Sequence, residues 1–180
     1  MDVLKMLEQD HRQVEDMLQR LRESEPGPDR AEVTTALQKA LELHMRFEEE
    51  HLYPLLQELE AEMEQEAETE HQLARQGLAQ AVELMEEPGF GAAVDMLAGG
   101  ISHHVEEEEE EAFPRLRRDG DEDRLRSLAT TLLEEKRRSG MLVDERATKE
   151  DLREIAVHLG VDAPSSMSKQ ELIEAIRTQA

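Results

Sequence analysis

Residues 43–54 read LHMRFEEEHLYP, and residues 103–114 read HHVEEEEEEAFP. Each segment contains a histidine, a glutamate four residues later and a proline six residues after the glutamate, with an aromatic residue directly before the proline. The two sets are His44, Glu48, Tyr53 and Pro54, and His104, Glu108, Phe113 and Pro114. A histidine and a glutamate four residues apart project from the same face of an α-helix, one turn above the other. The repeated spacing therefore predicts two helices that each present an imidazole and a carboxylate on one face.

Working outward from these segments, four amphipathic helices are predicted from apolar residues at alternating steps of three and four. Each apolar stripe is interrupted by one histidine. The stripes run from Leu4 to Leu21, from Val33 to Leu55, from Ala67 to Met85 and from Ala93 to Ala112, and their histidines are His11, His44, His71 and His104. Short connections between such helices predict an all-α fold, an up-down-up-down four-helix bundle. An additional helix is predicted at about 121–138.

Composition supports this fold class and excludes several functions. Aromatic residues make up only 2% of the chain, and cysteine is absent, so disulfides, thiolate metal sites and a cysteine nucleophile are excluded. The formal net charge of -23 argues against binding to a phosphate backbone. No apolar run is long enough to cross a membrane and the N-terminus does not resemble a signal peptide, so we expect a cytoplasmic protein without a membrane partner.

The polar residues on the apolar stripes predict a metal site. A bundle would direct four imidazoles and two carboxylates into its interior, and buried carboxylates without partners cost several kcal/mol each as an order of magnitude. A cation would compensate all six groups together, and imidazole with carboxylate suits iron, manganese or zinc. Two carboxylates able to bridge favour a pair of metal ions. The predicted ligands are His11, His44, Glu48, His71, His104 and Glu108.

Simpler interpretations exist for each residue taken alone. A single histidine on an apolar stripe is usually a hydrogen-bonded core residue, and the run Glu106–Glu111 is typical of a solvated helix face. The conjunction of four histidines in register with two His-to-Glu-to-Pro spacings favours the metal centre. A ferritin-like arrangement, based on Glu48 with His51 and Glu68 with His71, is disfavoured because these pairs would lie on consecutive helices and the fourth helix has none.

Other candidates near the site are weaker. Counting back from Pro114 selects His104 rather than His103, which is expected off the core or as a donor to a ligand. His51 is left open as a neighbour of the site. Tyr53, the only tyrosine, is a candidate catalytic residue, either a radical sink or a hydrogen-bond donor to bound oxygen. The favoured interpretation of Tyr53 is, however, a packing residue with its hydroxyl at the surface.

At these residues the chain resembles the hemerythrin-like HHE cation-binding domain, over about residues 1–117. The resemblance rests on His11 in DHRQVEDML, His44 and Glu48 in HMRFEEEHLYP, His71 in EHQLARQ, and His104 and Glu108 before the Phe-Pro pair. It implies a non-haem centre of two iron ions, oxo- or hydroxo-bridged, with Glu48 and Glu108 bridging the irons and the four histidines completing the coordination.

The resemblance implies reaction with dioxygen, hydrogen peroxide or nitric oxide. Oxygen-carrying hemerythrins have a second histidine one turn after the ligand of the third helix, and here that position is Arg75. One imidazole fewer favours a more open site and hence a catalase-like or peroxidase-like activity against oxidative stress over oxygen carriage. Oxygen or nitric oxide sensing and iron handling are the alternatives.

The C-terminal segment is predicted to form a separate helix-loop-helix module. A bundle over residues 1–138, a linker over 139–147 and the module over 148–180 are the expected parts. TKEDLREIAVHLGV and SSMSKQELIEAI resemble the N-terminal module of transcription termination factor Rho, which is related in shape to SAP domains. That family is associated with nucleic acid, but this copy lacks a basic or aromatic patch. It is expected to dock a protein partner or a second copy of the chain first and to contact DNA weakly second; a hairpin that only closes the bundle is the alternative.

Overall fold

A computed structural model describes residues 2–143 and 147–179. These residues divide into two compact units, one formed by Asp10–Glu122 and the other by Met1–Gln9 with Asp123–Ala180. Residues 144–146 of the predicted linker lie outside the described residues, as do Met1 and Ala180. The predicted boundary between residues 138 and 139 stays a prediction.

The structure is all-α, as the sequence predicted, and the four long helices form the predicted bundle. They are α1 (Val3–Arg22), α2 (Pro28–Phe47), α4 (Ala61–Glu83) and α5 (Phe90–Glu107). Two short helices, α3 (Tyr53–Leu59) and α6 (Phe113–Asp119), continue α2 and α5 beyond five-residue π-helical turns at Glu48–Leu52 and Glu108–Ala112. Helix α4 packs against α5, and α3 packs against both α4 and α6.

The helices of the bundle begin and end where the local sequence allows. Pro28 occupies the first turn of α2, where its missing N–H costs nothing, and Gly27 before it adopts a φ of 142° that other residues avoid. The apolar stripes bury Leu37, Phe47, Leu56, Val94, Phe113 and Leu116 almost completely. Burial of side chains of this size is the main stabilising term of the bundle.

A buried arginine ties the two interhelical connections together. Arg30 of α2 donates from Nη1 to the carbonyl of Met85 at 2.8 Å and from Nε to the hydroxyl of Ser24 at 3.0 Å. Its guanidinium also lies 4.1 Å from the ring centre of Phe90. These contacts satisfy a charge that burial would otherwise penalise.

The second unit contains α7 (Glu122–Arg138) from its second residue onward, α8 (Lys149–His158), a single 3₁₀ turn at Pro164–Ser166 and α9 (Lys169–Gln179). Helices α8 and α9 pack together through Leu152, Ala156, Leu172 and Ile176. The predicted capping box is present: Ser168 N–H donates to Glu171 at 2.7 Å and Glu171 N–H donates to Ser168 Oγ at 3.3 Å. Thr148 and Asp151 form a second capping box that begins α8.

None of the helices in residues 2–143 and 147–179 is long and apolar enough to span a membrane.

Candidate metal centre

The two π-helical turns set the geometry of the centre. Each is followed by a proline in the first turn of the next helix, Pro54 or Pro114, whose nitrogen has no hydrogen to donate. The ladder shifts by one residue at these turns, so that Tyr53 N–H bonds to the Glu48 carbonyl and Phe113 N–H to the Glu108 carbonyl. A π-turn holds more residues than an α-turn and re-aims the side chains that follow it. The aromatic rings after the two turns are buried at the centre, where Tyr53 contacts Glu108 and His71 and Phe113 stacks on His11.

The structure brings all six predicted ligand side chains together in the interior. None is more than 7% exposed. The Nε2 atoms of His11 and His44 lie 3.1 Å apart, and so do those of His71 and His104. Between these pairs lie the two carboxylates: Glu48 Oε2 is 3.1 Å from His44 Nε2 and 3.4 Å from His71 Nε2. Glu108 Oε2 is 3.2 Å from His11 Nε2 and 3.6 Å from His104 Nε2.

Two overlapping groups of ligand atoms follow from these distances. His11, His44, Glu48 and Glu108 form one group, and Glu48, His71 and His104 form the other, with the donor atoms in each within 4.8 Å of one another. Glu48 belongs to both groups. A carboxylate has two oxygens and can serve two cations, so the arrangement has room for a pair of positive charges.

Carboxylates behind the imidazoles fix their orientation. His11 Nδ1 donates to Glu109 at 2.8 Å, His71 Nδ1 to Glu49 at 3.0 Å and His104 Nδ1 to Glu70 at 2.9 Å. Since a carboxylate only accepts, these Nδ1 atoms carry the proton, and a neutral ring then presents the lone pair of Nε2 to the interior. His44 differs, because its Nδ1 lies 3.9 Å from Asp10.

Arginines hold two of these outer carboxylates. Arg75 donates from Nη1 to Glu49 Oε1 at 2.7 Å and from Nη2 to Oε2 at 3.0 Å. Arg12 donates from Nη2 to Glu109 Oε2 and from Nη1 to Glu15. Arg75, which stands at the position of the additional histidine of oxygen carriers, thus acts on His71 through Glu49.

The centre concentrates negative charge that needs compensation. Among the residues that the structure describes, neither carboxylate oxygen of Glu48 accepts a hydrogen bond, and neither does Glu108 Oε2. Burial alone would lower the pKa of His44, but the charges of Glu48 and Asp10 overcome this and raise the pKa to about 10. Burial likewise opposes the effect of Glu108 and Glu109, which raise the pKa of His11. Both oxygens of Glu48 and Oε2 of Glu108 thus lack a hydrogen bond among the described residues, and the surroundings of the imidazoles favour positive charge. Together these groups form a donor set that fits a cation.

The sequence comparison agrees with this chemistry. Residues 2–116 match the family model of the hemerythrin HHE cation binding domain. The chain belongs to this family. Residues 145–180 match the family model of the Rho termination factor N-terminal domain, so both resemblances predicted from the sequence are confirmed. Searches of the curated proteins and of the solved structures gave no match.

In this hemerythrin HHE domain, the interpretation of Tyr53 as a packing residue with its hydroxyl at the surface is wrong. Its hydroxyl is not at the surface: Tyr53 is 1% exposed, and its oxygen lies 3.0 Å from both Glu108 Oε1 and His71 Nε2. The π-turn causes the difference, because α-helical periodicity would rotate Tyr53 away from the face of Glu48. Burial first, then the charges of Glu108 and Glu48, raises the pKa of the Tyr53 hydroxyl well above its usual range.

The weaker candidates lie outside the cluster. His103 is 63% exposed in its side chain and lies 3.3 Å from Glu107 and 3.6 Å from Glu70. His51 is half-buried with its ring 5.1 Å from that of Phe47. His158 is exposed in the second unit, and Glu68, needed by the ferritin-like alternative, is exposed as well.

Sequence reasoning missed the outer carboxylates Glu49, Glu70 and Glu109. Glu109 in particular belongs to a run that was interpreted mainly as a solvated face. An internal signal could have found them: Asp10 and Glu70, like Glu49 and Glu109, are separated by the same 60 residues as His11 and His71 or Glu48 and Glu108. The two halves of the bundle repeat the outer residues together with the ligands.

Proposed function

We propose that this chain binds a pair of iron ions through His11, His44, Glu48, His71, His104 and Glu108 and uses them to react with hydrogen peroxide or dioxygen. The observation that carries the proposal is the convergence of four Nε2 atoms on two buried carboxylates with unbonded oxygens. Imidazole and carboxylate without thiolate suit iron, and Glu48 belongs to both ligand groups.

Bound iron would supply one-electron redox chemistry at two adjacent ions. The outer carboxylates would orient the imidazole ligands of that iron. By accepting from Nδ1, they keep the Nε2 atoms directed inward: Glu109 acts on His11, Glu49 on His71 and Glu70 on His104. The buried position of all six ligands keeps bulk water away.

Tyr53 favours redox chemistry over reversible oxygen carriage. Its hydroxyl is a proton donor held 3.0 Å from Glu108, in direct contact with two predicted ligands. A protonated phenol at this place can donate a hydrogen bond to a reacting oxygen or be oxidised by one electron, and the second role has no part in reversible oxygen binding. We therefore favour a catalase-like or peroxidase-like activity.

Sensing of dioxygen or nitric oxide is the second candidate function. It is supported by the appended segment that matches the Rho termination factor N-terminal domain, since a separate module could pass on the state of a gas-binding site. A sensor would bind the gas reversibly and would not evolve oxygen from peroxide.

Iron loading tests the centre. The protein would be loaded anaerobically with ferrous iron, desalted, and assayed for iron per chain and for helical content. His104→Ala and Glu108→Ala should lose most of the iron and keep their helices, whereas His103→Ala, which changes the exposed neighbour, should bind iron as the unaltered chain does. Retention of iron by both ligand variants would refute the assignment.

The reaction is then distinguished optically. A visible band that appears with air and disappears on degassing indicates carriage or sensing. Oxygen evolution from peroxide, together with a ferric spectrum that degassing does not reverse, indicates the proposed redox activity.

A further inference from the structure

Two cavities meet at the helix pair α4 and α5. The inner cavity has a volume of about 20 Å³, enough for a water-sized molecule, and is lined by the four histidines of the centre together with apolar side chains such as Val14, Leu41 and Ile101. The outer one is a surface groove of about 360 Å³ along α4 and α5. Glu70, Ala74 and Gly100 line both cavities. At these three residues a single layer of side chains separates the centre from the groove.

The separating layer is thin because two of its members are small. Ala74 follows the ligand His71 by three residues on α4, and Gly100 precedes the ligand His104 by four residues on α5. A Cβ atom added at Gly100 would meet no other atom within 4 Å. Gly100 is exposed and Ala74 is half-buried, so neither residue has a side chain large enough to fill the space between the groove and the inner cavity.

The chemistry of the groove limits what could enter. Its rim carries exposed apolar side chains, Leu73 with 60% and Met96 with 70% of their surface accessible. Its polar end carries Glu70, whose negative charge disfavours anions. On the inner side, the cavity is lined by apolar side chains and by the imidazole rings of the four histidines. An apolar entrance that leads to a cavity lined by apolar side chains and imidazole rings suits a small uncharged molecule.

We propose that small uncharged molecules reach the centre between α4 and α5, through the gap at Ala74 and Gly100. The identity of these molecules, such as dioxygen, nitric oxide or hydrogen peroxide, rests on the proposed function; the route itself does not. A passage controls the rates of entry and exit equally and leaves the equilibrium affinity unchanged, and this separates it from a residue that contacts the bound molecule.

The chain offers a matched control for closing the gap. Gly99 is exposed on the same helix, a Cβ there also meets no atom within 4 Å, and it lines neither cavity. Gly100→Leu and Gly99→Leu therefore gain the same helix propensity and add the same side chain, but only the first places it in the passage. Gly100→Ala provides an intermediate size.

The first experiment follows nitric oxide binding to the ferrous protein by stopped flow. Gly100→Leu should slow association and dissociation by roughly tenfold each, Gly100→Ala by less, and Gly99→Leu should stay within about twofold of the unaltered chain. Unchanged rates in Gly100→Leu, or a changed affinity with an unchanged association rate, would overturn the proposal.

A second experiment needs no iron. Tyr53 is the only tyrosine and tryptophan is absent, so the fluorescence lifetime reports on one buried ring in contact with His71. Quenching of Tyr53 by dissolved dioxygen in the metal-free chain should be slower in Gly100→Leu than in Gly99→Leu. Equal quenching would overturn the passage even if iron binding fails, and slower quenching without iron binding would refute only the proposed function.

Discussion

Replacing Glu49 by glutamine should weaken metal binding without disturbing the bundle. Glu49 accepts a hydrogen bond from His71 Nδ1 at 3.0 Å and is held from behind by both terminal nitrogens of Arg75. Glutamine keeps the shape and an accepting oxygen but removes the charge. His71 then loses the charge-assisted bond that fixes its ring and makes its Nε2 a stronger donor to a cation.

The size of the effect follows from the exposure of the pair. Hydrogen bonds to charged groups contribute about 1.5–3 kcal/mol. The side chains of Glu49 and Arg75 are 27% and 32% exposed, so solvent screening favours the lower end of that range. A loss of about 1.4 kcal/mol corresponds to a tenfold weaker affinity, and we expect a roughly tenfold rise in the metal dissociation constant.

Competition with a chromophoric chelator measures this dissociation constant. Glu109→Gln, which removes the equivalent charge behind His11, should act similarly. Glu110→Gln is the matched control, because it removes an exposed charge from the same π-helical turn as Glu109. An affinity of Glu49→Gln within about twofold of that of Glu110→Gln would refute the idea that the outer carboxylates tune the ligands.

Two further predictions concern stability. Tyr53→Phe removes a buried hydroxyl that donates to Glu108. It should lower the free energy of unfolding of the metal-free chain by about 1–3 kcal/mol, with unchanged helical content. Urea titration measures this, and an unchanged unfolding midpoint would contradict the observed bond. Asp151 caps α8 and pairs with Lys5 at 2.9 Å; burial opposes these contacts, but together they lower the pKa of Asp151. Its stabilisation should therefore be present above about pH 4 and be lost as the pH falls from there through the lowered pKa of the folded carboxylate. Amide exchange at the start of α8 should accelerate over that pH range, and Asp151→Asn should abolish this pH dependence.

Local patterns were sufficient for the helices and for the choice of the six predicted ligands. The four-residue separation of His104 and Glu108 puts both on one helical face whatever surrounds them, and the same count excluded His103, which the structure leaves exposed. The Ser168–Glu171 capping box is equally local, since all its atoms belong to four consecutive residues. That these six residues bind iron stays a prediction.

The sequence by itself determined the all-α class, the family and the residues with ligand chemistry, because each depends on spacing within one helix. Only the tertiary structure decided which partners meet across helices. Glu109 reaches His11 from 98 residues away, and nothing in the periodicity of either helix specifies that pairing. The position of the Tyr53 hydroxyl also depended on the tertiary structure. A shift of the backbone hydrogen bonds at the π-turn places it in contact with Glu108 and His71 and not at the surface, where we expected it. Helical periodicity fixes the face of a side chain only while the helix stays α, and packing between helices then fixes its neighbours.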